Sequence, residues 1–448
     1  MAKVSSQIQQ RDQELFKVLG SKGKNAWSSK GRIKDIHTLF RYPAVMVPDM
    51  LEDLLEILLD SNPDIEHIFD PFMGSGTSLV SSMKFGKNCY GQDINPLAVL
   101  VAKVKTGPFF TNALEDKIPQ LYNRIEGDSH NSIEIDYDRY NYWFTEEVAK
   151  NLSRISRAIR GEKNRHIRRF FWVSLAETVR LTSNDRTSTY KLHRRSEEEL
   201  KSRKVNSIKK FKSIVDDNAT DLRNFKKVLA GKNLLSHAHY SNRLKIWLED
   251  SKEKVKSRKK NEYYDLLVTS PPYGDNKTTV PYGQHSHLPL LWIDLKDIDQ
   301  KVDESYLRTQ SEIDKLSIGG TRKGKLNDLK ISLVQKSDTL QEIFSKLEPK
   351  ANELTKKVAY FYNDLFKSIE NAVGTLKPNG YMVWVVGNRR VGDVEIHTDK
   401  ILSEFLRGIG ANSIKDLNRE INHKRMPSRN NISDTMNQEK ILIFRKTS

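Results

Sequence analysis

A single cysteine, Cys89, stands in a chain of 448 residues. An internal disulfide is therefore excluded, and so is a zinc site built from cysteines. No uninterrupted apolar run reaches the roughly 20 residues needed to span a bilayer. Met1–Lys24 is polar and lacks the apolar stretch of a secretory leader. These absences predict a cytoplasmic protein that does not associate with membranes. No internal repeat is visible, and no convincing nuclease motif of the Pro-Asp…Asp/Glu-x-Lys kind is present.

Positive charge is abundant and unevenly placed. The net charge is +17, with 37% hydrophobic and 30% charged residues, a balance suited to a globular chain with a large core. Residues 151–260 hold 30 Lys/Arg against 12 Asp/Glu, whereas the remainder holds 45 against 46. Such clustering favours a polyanionic partner, because each neutralised phosphate releases condensed counterions. A solvated helical face or a lysine-rich linker would have the same composition.

The pattern of apolar residues predicts an interrupted α/β core. Ile65–Phe69 is a short apolar run ending at Asp70, a candidate buried strand. Beyond a Gly-Ser-Gly-Thr turn, Ser78–Phe85 places Leu79, Val80 and Met83 at helical spacing. Asn88–Asp93 reads as a second strand ending on a carboxylate, and Pro96–Val104 as a helix with proline near its start. Strand, glycine loop, helix, strand and acid, in that order, make a nucleotide-binding unit of a doubly wound parallel sheet. The pattern resumes with strands at Leu244–Leu248, followed by Glu249 and Asp250, and at Asp265–Thr269. Val358–Leu376 then reads as an amphipathic helix, Tyr381–Val386 as a strand and Thr398–Gly408 as a helix. Ser413–Leu417 and Lys440–Phe444 would close a seven-stranded sheet.

Two insertions interrupt this core. Residues 107–243 are mostly helical by pattern, as in Arg165–Leu181 with Ile167, Phe170, Phe171, Val173, Leu175 and Val179. Residues 274–355 include the Gly319-Gly320 break and the polar stretch Ser317–Lys330.

Two short motifs carry chemistry. In Asp70-Pro71-Phe72-Met73-Gly74-Ser75-Gly76-Thr77, the glycines let the backbone turn sharply and approach a ligand. The loop departs from the three-glycine dinucleotide fingerprint. Asp93, 17 residues beyond Gly76, is placed to accept ribose hydroxyls. The second motif is Thr269-Ser270-Pro271-Pro272-Tyr273. An exocyclic amine is a poor nucleophile because its lone pair is delocalised into the ring. Hydrogen bonds to its protons make it competent when the carbon it attacks is held in line. The Ser270 hydroxyl and the Pro271 carbonyl, kept out of helical geometry by the next proline, are suited to accept those bonds. Tyr273 offers a flat face to an extruded base. Alone, a Ser-Pro-Pro-Tyr sequence is usually a turn or a ligand for a peptide-binding module.

Together the motifs resemble the amino-directed DNA methyltransferases of the Ser-Pro-Pro-Tyr type, which usually modify cytosine at N4. The resemblance implies a Rossmann-like α/β sheet of the S-adenosylmethionine-dependent methyltransferases, carrying the two insertions. Its cofactor would be S-adenosylmethionine. Phe72, Gly74, Ser75, Gly76 and Thr77 would wrap the methionine part, with Asp70 near the ammonium. Asp93 would hold the ribose, with Ile94 beside it, and Asp250 would face the adenine amine. Ser270, Pro271, Pro272 and Tyr273 would be catalytic, and no metal is implied. His37–Ala44 with Pro48 resembles the motif that closes over the cofactor in this family.

The resemblance also divides the chain. Residues 1–106 would be the cofactor-binding part of the core and 107–243 a basic insertion for target recognition. Residues 244–273 would bring the core strands with the catalytic loop, 274–355 the second insertion, and 356–448 the rest of the core. Within 107–243, Arg186, Lys191, Arg194 and Arg195 are candidates for contact with double-stranded DNA. The basic loop His423–Asn430 is a second candidate for touching phosphates. A cognate restriction endonuclease acting on the same site is the implied partner. The catalytic loop follows the glycine loop here, whereas it commonly precedes it in Ser-Pro-Pro-Tyr enzymes; a circular permutation explains this without altering the site. The alternatives are an adenine-N6 DNA methyltransferase, an RNA or protein-glutamine methyltransferase, and a non-catalytic DNA-binding protein. Methylation at cytosine C5 needs a cysteine beside proline, which Cys89 is not. Cys89 is expected to be a small core residue.

Overall fold

Seven segments pair into one sheet in the computed structural model, which describes residues 2–22, 27, 35–253, 263–276, 279–421, 429–430, 433–434 and 438–447. They are β1 (His67–Asp70), β2 (Asn88–Asp93), β3 (Leu244–Leu248), β4 (Tyr264–Thr269), β5 (Leu376–Gly387), β6 (Ala411–Glu420) and β7 (Gln438–Lys446). The spatial order is β6-β7-β5-β4-β1-β2-β3. All pairings are parallel except those of β7, which runs antiparallel to both β5 and β6. This is the Rossmann-like sheet that the family resemblance implied, built from the seven strands that the apolar pattern marked. Strand order reverses between β1 and β4, so the carboxyl ends of these two strands open a crevice.

Alternation along the strands decides which layer each side chain enters. Ile68, Leu266, Val268, Val383 and Val385 join one apolar cluster, with helices α1 (Ala2–Ser21) and α2 (Pro48–Ser61). Their neighbours Phe69, Leu267, Met382 and Trp384 join another, on the opposite face. Beyond the glycine loop come α3 (Thr77–Lys84) and α4 (Pro96–Lys105), which carry Leu79, Val80 and Leu97–Ala102 into a third cluster. Cys89 is fully buried there, and burial pushes its thiol far up, which leaves it an inert core residue.

The first insertion adds α5 (Thr111–Gly127), α6 (Glu146–Arg160), α7 (Arg165–Thr182) and α8 (Ser207–Gly231). The last three start where side chains of Thr145, Asn164 and Asn206 accept backbone N–H groups that a helix leaves unpaired. α7 buries most of its length between its neighbours, sharing one cluster with α4. The second insertion begins with α9 (Tyr282–Leu290) and continues through short helices to α10 (Asn352–Val373). α11 (Thr398–Gly408) packs on the same face as α10.

Four differences from the sequence expectations have physical causes. The helix expected over Val358–Leu376 starts earlier and ends at Val373, with Gly374 as its cap. Leu376 already pairs with Tyr264, and the next aligned pair is Leu266 with Tyr381. The intervening Lys377–Gly380 therefore bulges out of the ladder, with Asn379 at φ +64°. The closing strands are longer than the apolar runs that announced them, because backbone pairing continues through their Arg/Lys/Glu-rich ends. The polar N-terminus forms α1, anchored by buried Leu15 and Leu19 and by Asp12, which accepts bonds from Tyr381 and Arg445.

Among the described residues, no helix is long and apolar enough to cross a membrane, and no group of three or more His, Cys, Asp or Glu is placed to hold a metal ion.

Candidate active site

An open cleft, about 820 Å³ with the solvent in its mouth included, lies over the carboxyl ends of β1, β2 and β4. Its floor is the glycine loop, with Phe72, Gly74, Ser75 and Thr77 in the lining. Gly76 begins α3 at φ +83°, and a Cβ there would sit 3.0 Å from that of Ala102 on α4. Only glycine permits both the turn and the close passage of α4. Gly76 itself lies beneath the floor.

Two carboxylates organise this loop. Asp93, in the lining, accepts from the backbone N–H of Gly74 at 2.9 Å and of Asn95 at 2.8 Å. Ile94 lines the wall beside it. Asp70 is 1% exposed and does not reach the lining. It accepts from Ser78 Oγ, from Thr269 Oγ1 at 2.6 Å and from the Phe72 N–H at 2.9 Å. These bonds tie the end of β1 to the end of β4, so Asp70 positions both motifs from below.

Burial pushes both carboxyl groups up to about 6, against hydrogen bonds that favour the charged forms. The folded protein then holds these protons to higher pH than the unfolded chain. The stability they contribute is present below about pH 4 and is lost as pH rises through about 6. Asp70→Asn is expected to flatten that fall, as read by urea unfolding at pH 4.5 and 6.5; an unchanged difference would remove Asp70 as its source.

Above the floor, Tyr42–Met46 forms the opposite wall. The Tyr42 hydroxyl accepts from Asn95 Nδ2 at 3.0 Å, and its ring stacks on Tyr282 at 5.8 Å. Asn95 also reaches Ser286 Oγ at 2.8 Å, which joins the glycine unit to α9. Upstream, His37 is half-buried in a short 3-10 turn, with both ring nitrogens shielded from water and without a hydrogen-bond partner. Burial, and then nearby Lys105 and Lys84, hold its pKa well down, which leaves the ring neutral. Lys105 is buried too, donates to Ser75 Oγ at 3.2 Å and is pushed down to about 7 by burial.

At the far end of the cavity, Glu249 and Asp250 follow β3. Burial raises the pKa of Asp250, while Lys252, 3.4 Å away, opposes the shift. Ile318, from the segment before the Gly319 turn, closes this side.

The Ser-Pro-Pro-Tyr loop leaves β4 at the cavity rim. Ser270 and Pro272 line it, while Pro271 is buried and Tyr273 turns its hydroxyl elsewhere. That hydroxyl donates to Glu439 Oε1 at 2.9 Å and lies 3.2 Å from Ser270 Oγ. Burial, and then the nearby Glu439 charge, raise the Tyr273 pKa well above its ordinary value, so the phenol stays protonated. The loop continues through Asp275, paired with Arg389 at 3.4 Å. Asn276, in the lining, donates to Asp314 Oδ1 at 2.9 Å, and Asp314 also accepts from the Gly283 N–H at 2.8 Å. Residues 277–278 lie outside the described residues.

The basic candidates are only partly available to a polyanion. Arg186 pairs with Glu199, and Arg194 pairs with Glu197 while donating to the Tyr142 carbonyl. Arg195 is half-buried, and Lys191 is exposed. Elsewhere in the insertion, Arg157, Arg160, Arg168 and Arg180 also face acids. Composition therefore overstates the free positive surface. The loop is nevertheless near the cavity, since the Tyr190 ring meets His285 of α9 at 5.8 Å. Residues 254–262 of the lysine-rich run and 422–428 of the C-terminal basic loop lie outside the described residues.

Sequence reasoning missed Asn95, Asp314, Arg389, Arg419 and Glu439. Each belongs to no local motif.

Residues 2–104 match the family model described as DNA methylase, of the N6/N4 class. Over 424 residues the chain is 35% identical to Type II methyltransferase M.MvaI of Kocuria varians, covering 91% of this chain and 90% of that protein. A shorter similarity, 34% over 136 residues, relates it to Type II methyltransferase M.MjaII of Methanocaldococcus jannaschii, covering 28% of this chain and 25% of that protein.

Proposed function

Because this chain belongs to the N6/N4 family of DNA methyltransferases, whose methyl donor is S-adenosylmethionine, we propose that it methylates N4 of a specific cytosine in double-stranded DNA. The observation that carries this reading is serine, not aspartate, at the first position of the loop leaving β4, with its side chain on the cavity that the glycine loop floors.

The cavity suits the cofactor. Asp93 presents a carboxylate beside a glycine turn, Phe72 and Ile318 supply apolar walls for a purine, and Glu249 and Asp250 offer acceptors to amines. Bound there, the cofactor supplies a methyl group activated on a sulfonium sulfur. Ser270 Oγ and the Pro271 carbonyl accept the protons of the target amine, and the glycine loop fixes the direction of approach. Tyr273 borders the base position, its ring the face for stacking. The insertion at 107–243 recognises the target, with Lys191, Arg186, Arg194 and Arg195 on a loop next to α9. The ion pairs of Arg186 and Arg194 and the half-buried position of Arg195 make Lys191 the foremost phosphate contact. The Type II designation of M.MvaI supports a modification role beside a restriction endonuclease of the same specificity.

Incubating the protein with labelled S-adenosylmethionine and duplex DNA, then digesting to nucleosides, is expected to yield N4-methylcytosine. N6-methyladenine alone would overturn the choice of atom and favour the adenine reading. Asp93→Ala is expected to weaken cofactor binding, each lost bond to its charged carboxylate being worth about 1.5–3 kcal/mol. Calorimetry with an intact fold and unchanged affinity would remove Asp93 from the ribose site.

A further inference from the structure

We propose that Glu439 and Arg419 are positioning residues for the methyl-transfer loop, orienting the Ser270 hydroxyl through Tyr273 and giving the target amine a route for its departing proton. This rests on the methyl-transfer role of Ser270 given above. Neither residue belongs to the Ser-Pro-Pro-Tyr motif, and Glu439 lies 166 positions from Tyr273 in the chain.

The sheet brings them together. Arg419 on β6 and Glu439 on β7 stand directly opposite in the antiparallel ladder, and their side chains are bonded to each other. Glu439 also aligns with Gly387 at the end of β5, whose Trp384 pairs with Thr269 just before the loop. Both side chains are largely shielded, Arg419 at 8% and Glu439 at 15% exposure.

Counting protons settles the direction of the chain. Tyr273 has one hydroxyl proton and donates it to Glu439 at 2.9 Å. A carboxylate can only accept. The 3.2 Å contact between Ser270 Oγ and the Tyr273 oxygen is therefore made with the Ser270 proton. With that proton committed, Ser270 Oγ meets any further group as an acceptor. A nucleobase amine needs that acceptor; without Glu439, the Ser270 proton is free to rotate toward the amine and oppose it.

The same chain removes the surplus proton. Once the amine nitrogen has gained a methyl group it is cationic, and one of its N–H bonds must break. That proton passes to Ser270 Oγ as the Ser270 proton passes to Tyr273 and the Tyr273 proton to Glu439. Each hydroxyl oxygen gains one O–H bond and loses one. The net products are a neutral methylated amine and a carboxylic acid at Glu439, which is exposed enough to return the proton to water.

The test is single-turnover methylation of duplex DNA by the full-length chain with labelled S-adenosylmethionine. Tyr273→Phe keeps the ring and the Arg419–Glu439 pair but removes the relay. It is expected to slow the step by on the order of 10²-fold, the lower range for lost acid–base assistance, with cofactor affinity unchanged. Glu439→Gln is expected to slow it similarly, Glu439→Asp to recover part of the rate, and the double variant to be no slower than the slower single one, since both break one chain. Tyr273→Phe at the wild-type rate, or losses that multiply in the double variant, would overturn the relay. Glu439→Gln leaves Arg419 without its acid, so if it does not fold, Tyr273→Phe decides alone. A folded wild-type chain that methylates no DNA overturns the methyl-transfer reading itself, a result distinct from an active enzyme indifferent to these substitutions.

Discussion

Ser270→Ala is expected to slow methyl transfer by on the order of 10²–10³-fold at saturating cofactor and DNA. The loss should fall on kcat, because the hydroxyl meets the amine most strongly as the amine becomes tetrahedral. Ser270 is one of many side chains lining the open cleft, so its truncation leaves the cofactor's own contacts in place. The Pro271 carbonyl remains as one acceptor, which is why the variant should be slow and not inert. Rapid-quench kinetics and calorimetry separate the two effects. A raised Kd for cofactor with an unchanged single-turnover rate would assign Ser270 to binding and sink its catalytic role.

The second large effect is on stability. Asp297→Ala is expected to destabilise the fold by about 3–5 kcal/mol, the usual result of stripping one partner from a buried ion pair. Asp297 lies in the second insertion, and its side chain is 4% exposed. It accepts from Arg168 Nε at 2.7 Å and Nη2 at 2.6 Å, and from Trp172 Nε1 at 2.8 Å. Its backbone carbonyl accepts from Arg169 Nε at 2.6 Å. All three donors are on α7, so one carboxylate joins the two insertions beside the core. Burial works against its charge, but the bonds from Arg168 and Trp172 outweigh burial and hold its pKa below the ordinary range. The stability it contributes is therefore present at neutral pH and lost as pH falls below about 4. Asp297→Asn, which keeps acceptors but not the charge, should fall between wild type and alanine. Urea unfolding at pH 7 tests this; a loss under about 1 kcal/mol for the alanine variant would place it among ordinary surface changes.

Several local elements were legible from spacing alone. The glycine loop, α3, β2 and the acid at its end form one contiguous run, and each apolar position there repeats at the period of its own element. The β strands were found where apolar runs are buried on both faces, as in Leu266–Val268. The ends of β6 and β7 were not, because charged residues such as Arg419 and Glu439 pair there through their backbones and leave no apolar signal. The bulge at Lys377–Gly380 was hidden for a related reason: Pro378 and Gly380 read as a break, whereas the ladder passes around them.

The amino-acid sequence by itself determined the strand and helix order of the core, the two loops at the crevice, and the serine at the first position of the second loop. Those features depend on neighbours within about ten residues, where periodicity and turn chemistry act. The tertiary structure alone decided that Asp70 lies beneath the cavity and holds Thr269, that Tyr42 meets Asn95 and Tyr282, and that the Tyr273 hydroxyl faces Glu439. It also decided that much of the basic insertion is neutralised by its own acids. Such partners are chosen by which strands lie side by side and which charges must be paired once water is excluded, and neither choice leaves a pattern in the chain near the residues concerned.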